Sequence, residues 1–246
     1  MSRRALLRHA DTTRQMLADL VAGEAGHMRL GAIEPAASLR LPPILLPYFE
    51  AHPRVQLSLE VANSTTLRER VAAGQLDAAI AAAPPAELSL VFIPLFVEPL
   101  TLLVPENHPL ASQALVTLAD VARHRILLSE RTCAYRQLVE RAMLQHGASL
   151  YATIELGSLG LVKRGVQDGL GIAILPESIV VPPPEGTRVR TLEDEPISLT
   201  VGFVLSDRED ALAYQAVHDV LAQLATHLVR EGYVVPKRLR DIPAPD

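Results

Sequence analysis

Between His27 and Ala82 the hydrophobic period switches repeatedly between that of a strand and that of a helix. This alternation restricts the segment to a parallel sheet covered by helices. Met28-Arg29-Leu30-Gly31-Ala32-Ile33 alternates as a strand. Pro35 to Ser38 reads as a turn into a helix, and Leu41–Ala51 is predicted helical, with Pro42 and Pro43 tolerated in its first turn. Val55–Val61 alternates again. Asn63-Ser64-Thr65-Thr66 reads as a helix cap, Thr66 and Glu69 stand at capping-box spacing, and Gly74 ends the helix. Leu76–Ala82 is a short buried strand, which completes β-α-β-α-β.

The rest of the chain repeats this grammar after the break at Pro84-Pro85. Leu90–Phe96 and Leu100–Val104 are two strand-like runs. Thr117–Ala122 is a short helix with a Thr-x-x-Asp cap. Ile126–Ser129 is a strand, Thr132–His146 a helix stopped by Gly147, Tyr151–Glu155 a strand, Ser158–Asp168 a helix stopped by Gly169, and Ile172–Leu175 a strand. Pro182-Pro183-Pro184 is a surface linker. Leu199–Leu205 is a final strand, and Ser206 with Glu209 opens a helix carrying Tyr214, Val217, Leu221, Leu224 and Leu228 on one face. Ahead of all this, residues 3–24 read as a helix whose Leu6, Ala10, Thr13, Leu17 and Leu20 form a coiled-coil-like seam. It either packs on its own domain or pairs with a second copy. The tail after Tyr233 is Pro-rich and loose.

Composition excludes several function classes. A net charge of −5 offers no broad basic field for nucleic acid. One cysteine, Cys133, allows neither an internal disulfide nor a thiolate zinc cluster, as expected of a reducing cytosol. No apolar run is long enough to span a bilayer, so a cytoplasmic protein is expected. Enzyme signatures are poor. The eight histidines form no His-Glu-x-x-His motif, Leu156-Gly157-Ser158-Leu159-Gly160 misses the Gly-x-Ser-x-Gly elbow at its first position, and Gly169-Leu170-Gly171 stops short of a dinucleotide fingerprint. Neither a catalytic residue, a metal site nor a cofactor is expected.

Four phrases in one order carry a resemblance. They are Leu30-Gly31 leading through Leu41-Pro42-Pro43 to Leu46-Pro47-Tyr48-Phe49 and His52-Pro53; Gly74-Gln75-Leu76-Asp77-Ala78-Ala79-Ile80; Leu95-Phe96-x-Glu98-Pro99-Leu100 with Val104-Pro105-x-x-His108-Pro109-Leu110; and Gly157-Ser158-Leu159 through Val162 and Val166 to Gly169-Leu170-Gly171-Ile172-Ala173-Ile174-Leu175-Pro176. Over residues 27–230 the sequence resembles the effector-binding domain of LysR-type transcriptional regulators. That resemblance implies an α/β fold of two Rossmann-like lobes, like a type II periplasmic binding protein, with a ligand cleft between them. Lobe I is expected over 27–97 and 201–230, lobe II over 98–200, a linker or dimerisation helix over 1–26, and a loose tail over 231–246. It also implies a small-molecule effector and a homodimer or higher homo-oligomer. DNA would be reached only through a helix-turn-helix domain absent from this chain. A stand-alone small-molecule-binding protein and an enzyme on the same architecture are the alternatives.

Ligands of open α/β sheets bind at strand ends against helix N-termini, whose free N–H groups and partial positive charge suit an anion. The helix starts at Ala37-Ser38, Ser64-Thr65, Thr132-Cys133 and Gly157-Ser158 are therefore the candidate contacts of a small anionic metabolite, unless their hydroxyls merely cap their own helices. Arg131 or Arg136 is either a carboxylate clamp or an arginine paired with Glu130 or Glu140. Cys133 is either a redox-sensitive thiol or a buried or capping one.

Overall fold

Strand β1 (Gly26–Ala32) buries Met28, Leu30 and Ala32, and its other face meets helices through the small residue Gly31. The computed structural model describes residues 26–85, 88–149, 153–206 and 215–230. The expected linker helix and tail, and Tyr151, Glu209 and Tyr214, lie outside the described residues, as do the side chains of Val217 and Leu221. Two compact units divide the chain, residues 1–96 with 201–246 and residues 97–200.

In the first unit β1 pairs in parallel with β2 (Val55–Val61), in register from Gly26 with Val55 to Ala32 with Val61. On its other side it pairs in parallel with β3 (Ala78–Ala82), whose five residues are all buried. β9 (Ser198–Ser206) runs antiparallel to β3, pairing Ala79 with Val204 and Ala82 with Val201. The strand order is β2-β1-β3-β9, then the first part of β4 (Leu90–Pro105). Helix α1 (Pro42–Ala51) turns Ile44, Leu45 and Tyr48 inward and packs against the last helix (Gln215–Arg230), which buries Leu224 and Leu228. Helix α2 (Ser64–Ala72) packs on β1 and β3 through Leu67 and Val71.

In the second unit the distal part of β4 pairs antiparallel with β7 (Ala173–Pro176) through Leu100–Leu103, and with β8 (Thr187–Arg190) through Leu102–Pro105. β5 (Ile126–Leu128) and β6 (Thr153–Glu155) pair in parallel, and a bridge from Ile126 to Ile172 links β5 to the start of β7. Helices α5 (Ala134–Gln145) and α6 (Leu159–Gln167) follow β5 and β6, burying Val139 and Met143 and Leu159, Val162 and Val166. Between β4 and β5 lie the short helices α3 (Pro109–Ser112) and α4 (Leu118–Val121), and α7 (Glu177–Val180) follows β7. The α4 cap is the expected box, with Thr117 and Asp120 bonded in both directions.

Several local readings are corrected. The two runs in 90–105 form one continuous strand of 16 residues, because Pro94 and Pro99 remove donors without ending extended backbone. Sequence reading missed α3, α7 and β8, which are too short for a periodicity signal. The start of α2 is capped by Asn63, whose Oδ1 accepts from Thr66 N at 3.0 Å; the Thr66–Glu69 box does not operate there, because Thr66 already lies in the first turn. Ala37 and Ser38 are likewise not a helix start. Helical backbone begins at Glu34 and continues as a π-turn over Ala36–Arg40 into α1.

Gly202 and Gly31 are among the glycines required by close approach. A Cβ on Gly202 of β9 would stand 2.4 Å from the carbonyl oxygen of Ile93 and 2.7 Å from the Phe92 ring. A Cβ on Gly31 would stand 2.5 Å from Cδ2 of Leu67 and 2.8 Å from Cδ1 of Leu76. Backbone yields less readily than the ends of leucines. Gly202→Ala is therefore expected to destabilise the protein by about 2–3 kcal/mol and Gly31→Ala by about 1–2 kcal/mol in urea unfolding; equal costs would contradict this ordering.

Candidate functional site

Parallel pairing puts the ends of neighbouring strands, and the helix starts that follow them, side by side. In the first unit, the carboxyl ends of β1, β2 and β3 are tied together by Ile33 N donating to Ile80 O at 3.0 Å and Ala62 N to Ala32 O at 3.4 Å. The buried Ser64 Oγ accepts from Ala82 N at 3.1 Å, so this hydroxyl joins α2 to the end of β3. Thr65, one residue on, is exposed. Ala37 is buried and its N–H donates to Ile33 O. Ser38 is exposed, and its hydroxyl donates to Glu34 O at 2.8 Å, one turn back along its own helix.

The charged member of this group is Arg68, which sequence reading missed. Its Nη1 donates to Ala83 O at 2.8 Å and Ala82 O at 3.5 Å, and its Nη2 to Thr65 Oγ1 at 3.2 Å. Its Nε is buried without a hydrogen-bond partner. Among the described residues no carboxylate forms an ion pair with it, and burial lowers its pKa, with adjacent Glu69 acting in the opposite sense. No local signal marked it, since Arg68 is the fifth of the nine residues of α2.

In the second unit the parallel strands β5 and β6 bring Ser129–Cys133 beside Glu155–Ser158, with Leu156 N donating to Leu128 O at 2.8 Å. Ser158 caps α6, its Oγ accepting from Leu161 N at 3.2 Å, and Gly157 is exposed with open space around its Cα. Cys133 is the N-cap of α5 but makes no side-chain cap bond, and exposed Thr132 lies ahead of the helix.

Arg136 is the buried charge of this group, 7% exposed. Its Nε donates to Glu140 at 2.7 Å, and its Nη1 to Glu155 at 2.7 Å and to Ser129 O at 2.6 Å. Of the two readings for Arg136, the structure shows the pairing with Glu140 and adds Glu155. Burial lowers its pKa, and the hydrogen bonds and charges of the two glutamates more than reverse this, so the net shift is upward. Arg131 stands 4.0 Å from Glu155 and is largely exposed. Among the described residues no group of three or more His, Cys, Asp or Glu side chains is arranged to hold a metal.

The Arg136 hydrogen bond holds the Glu155 carboxyl below the ordinary glutamate range. A carboxyl whose folded pKa is depressed stabilises the fold above its unfolded pKa, and loses that effect as pH falls through the folded value. Arg136→Met should destabilise the protein by about 1–3 kcal/mol at neutral pH. In unfolding titrations from pH 7 to pH 3 the gap to wild type should narrow as Glu155 protonates; a constant gap would mean that packing, not charge, carries Arg136.

The LysR substrate binding domain family matches residues 22–227. The HTH-type transcriptional regulator YtlI of Bacillus subtilis is 27% identical over 219 residues, covering 89% of this chain and 71% of the relative. The chain spans between half and about seven tenths of the length of the curated relatives it matches. Among solved structures, the effector binding domain of BenM with its effector benzoate aligns with a TM-score of 0.74 at 20% identity, covering 86% of this chain and 96% of that one. The regulatory domain of Synechocystis PCC6803 CcmR in complex with 2-PG aligns with a TM-score of 0.73 at 23% identity, covering 82% and 97%. These likenesses give the fold as that of LysR effector-binding domains, the type II periplasmic-binding-protein-like α/β fold. With the family matched across more than 200 residues, through both units, the chain belongs to the LysR substrate binding domain family.

Proposed function

We propose that this chain is the effector-sensing region of a LysR-type transcriptional regulator and that it takes a small anionic metabolite at strand carboxyl ends. The observation that carries the reading is the first unit's cluster at the ends of β1, β2 and β3. There, α2 presents its N-terminus, exposed Thr65 and a guanidinium that forms no ion pair among the described residues. Thr132 and Ser158, at the corresponding strand ends of the second unit, are further candidate contacts. The relatives that match are transcriptional regulators, and benzoate and 2-PG occupy the effector-binding regions of similar fold. A ligand shifts such a protein by binding one arrangement better than another. In this reading the chain is not an enzyme and works in the cytoplasm. DNA is reached through a helix-turn-helix domain, since a net charge of −5 does not favour DNA on this region.

Thermal-shift screening against small organic acids tests the reading. An effector at roughly 100-fold above its Kd adds about 2.7 kcal/mol to stability, which raises Tm by about 5–10 °C for a chain of this size. Thr65→Val, Thr132→Val and Ser158→Ala should each weaken such a ligand several-fold. Silence across the panel, or turnover of an acid, would sink the sensor reading. We also propose that the protein is a homodimer; sedimentation at tens of micromolar should give twice the chain mass, and a monomer there would refute it.

A further inference from the structure

We propose that Arg68 is the residue that selects for negative charge in this protein's ligand: its guanidinium, held at the ends of β3 and α2, receives the carboxylate or phosphate group of a small organic acid. The inference rests on the sensor reading and deepens it by naming the group that discriminates.

Three independent facts support it. First, among the described residues no carboxylate forms an ion pair with the guanidinium, and adjacent Glu69 acts on it only through space. The described residues hold several paired arginines: Arg29 lies on Asp77, Arg70 on Glu60, Arg136 on Glu140 and Glu155, and Arg164 on Asp168. Arg68, half-buried, has only neutral oxygens, those of Ala82, Ala83 and Thr65. Second, the charge is desolvated. Arg68 is half-buried, and burial lowers its pKa. A half-buried unpaired charge disfavours the empty state and is relieved when an opposite charge arrives. Third, the bond to Thr65 is exchangeable. Thr65 is exposed and contributes a neutral acceptor at 3.2 Å, which a charged acceptor outcompetes. The Ala82 and Ala83 carbonyls anchor the other side of the fork, so the guanidinium keeps its place during the exchange. The chemical class follows from the charged Nη2 donor freed by the exchange, which a carboxylate or phosphate oxygen accepts more strongly than an amide or alcohol of the same shape.

The test uses the whole chain and named probes: benzoate, shikimate, citrate and glycerol 3-phosphate, with the amide or phosphate-free counterpart of each hit as the uncharged control. Wild type, Arg68→Met, Arg68→Lys and Arg70→Met are compared by calorimetric titration and by Tm without ligand. For a probe that binds wild type, Arg68→Met should weaken it tenfold or more, while the affinity of the uncharged control moves less than about twofold. Arg68→Lys should keep part of the binding, as a point charge without the fork. Arg70→Met removes the same net charge from a paired site on the same helix and should leave affinity unchanged. Arg68→Met should also leave the ligand-free Tm unchanged or higher, since an unpaired charge is removed; a strut that merely ties α2 to the end of β3 would lower it. Unchanged acid affinity in Arg68→Met, or equal losses for acid and uncharged control, would overturn this inference while the sensor reading stands. If no acid binds wild type, both fall together.

Discussion

The contact on which the first unit depends is that of Leu67 with Gly31. Leu67, fully buried on α2, brings its Cδ2 to 2.5 Å from where a Cβ of Gly31 would lie. Only a glycine on β1 lets the helix sit that close to the sheet. The distance also sets what happens a turn earlier on the same helix. With Leu67 seated, Ser64 reaches Ala82 N, Asn63 caps Thr66 N, and Arg68 reaches the carbonyls that end β3. The strand-end cluster is thus a consequence of core packing, positioned by rigid elements rather than by loops of its own.

The two units treat charge differently at their strand ends. In the second unit a buried guanidinium meets two carboxylates and a carbonyl, so its charge is balanced within the chain and the group ties α5 to β6. In the first unit a half-buried guanidinium meets only neutral acceptors. The first arrangement is stable as it stands, because the buried guanidinium has its charge balanced by two carboxylates. The second carries a charge that no ion pair balances among the described residues. This contrast between one unit's network and the other's directs attention to Arg68 rather than to Arg136, although both arginines lie on the helix that follows a parallel strand.

Most of the architecture was legible because burial follows period. The apolar run of β3 and the faces of α2, α5 and α6 each state in sequence what they do in space, whereas the alternation of β2 gives its strand but not its burial, since Leu59 and Val61 are exposed. The Thr117–Asp120 cap was legible for the same reason, since a capping box is local. Boundaries that depend on competing caps were not. Asn63, Ser64, Thr65 and Thr66 are all acceptable N-caps, and the choice fell to Asn63 because Ser64 was needed at Ala82 N, eighteen positions away in the chain.

What the sequence determined by itself is the longer elements, their kind and the strand ends at which a ligand would be sought, because periodicity and capping act within a few residues. What tertiary structure alone decided is which charges are satisfied. Arg136 finds Glu155 nineteen positions on, and Arg68 forms no ion pair among the described residues. No local pattern contains that difference: an ion pair falls steeply with distance, and the distance between residues far apart in the chain exists only once the strands have paired.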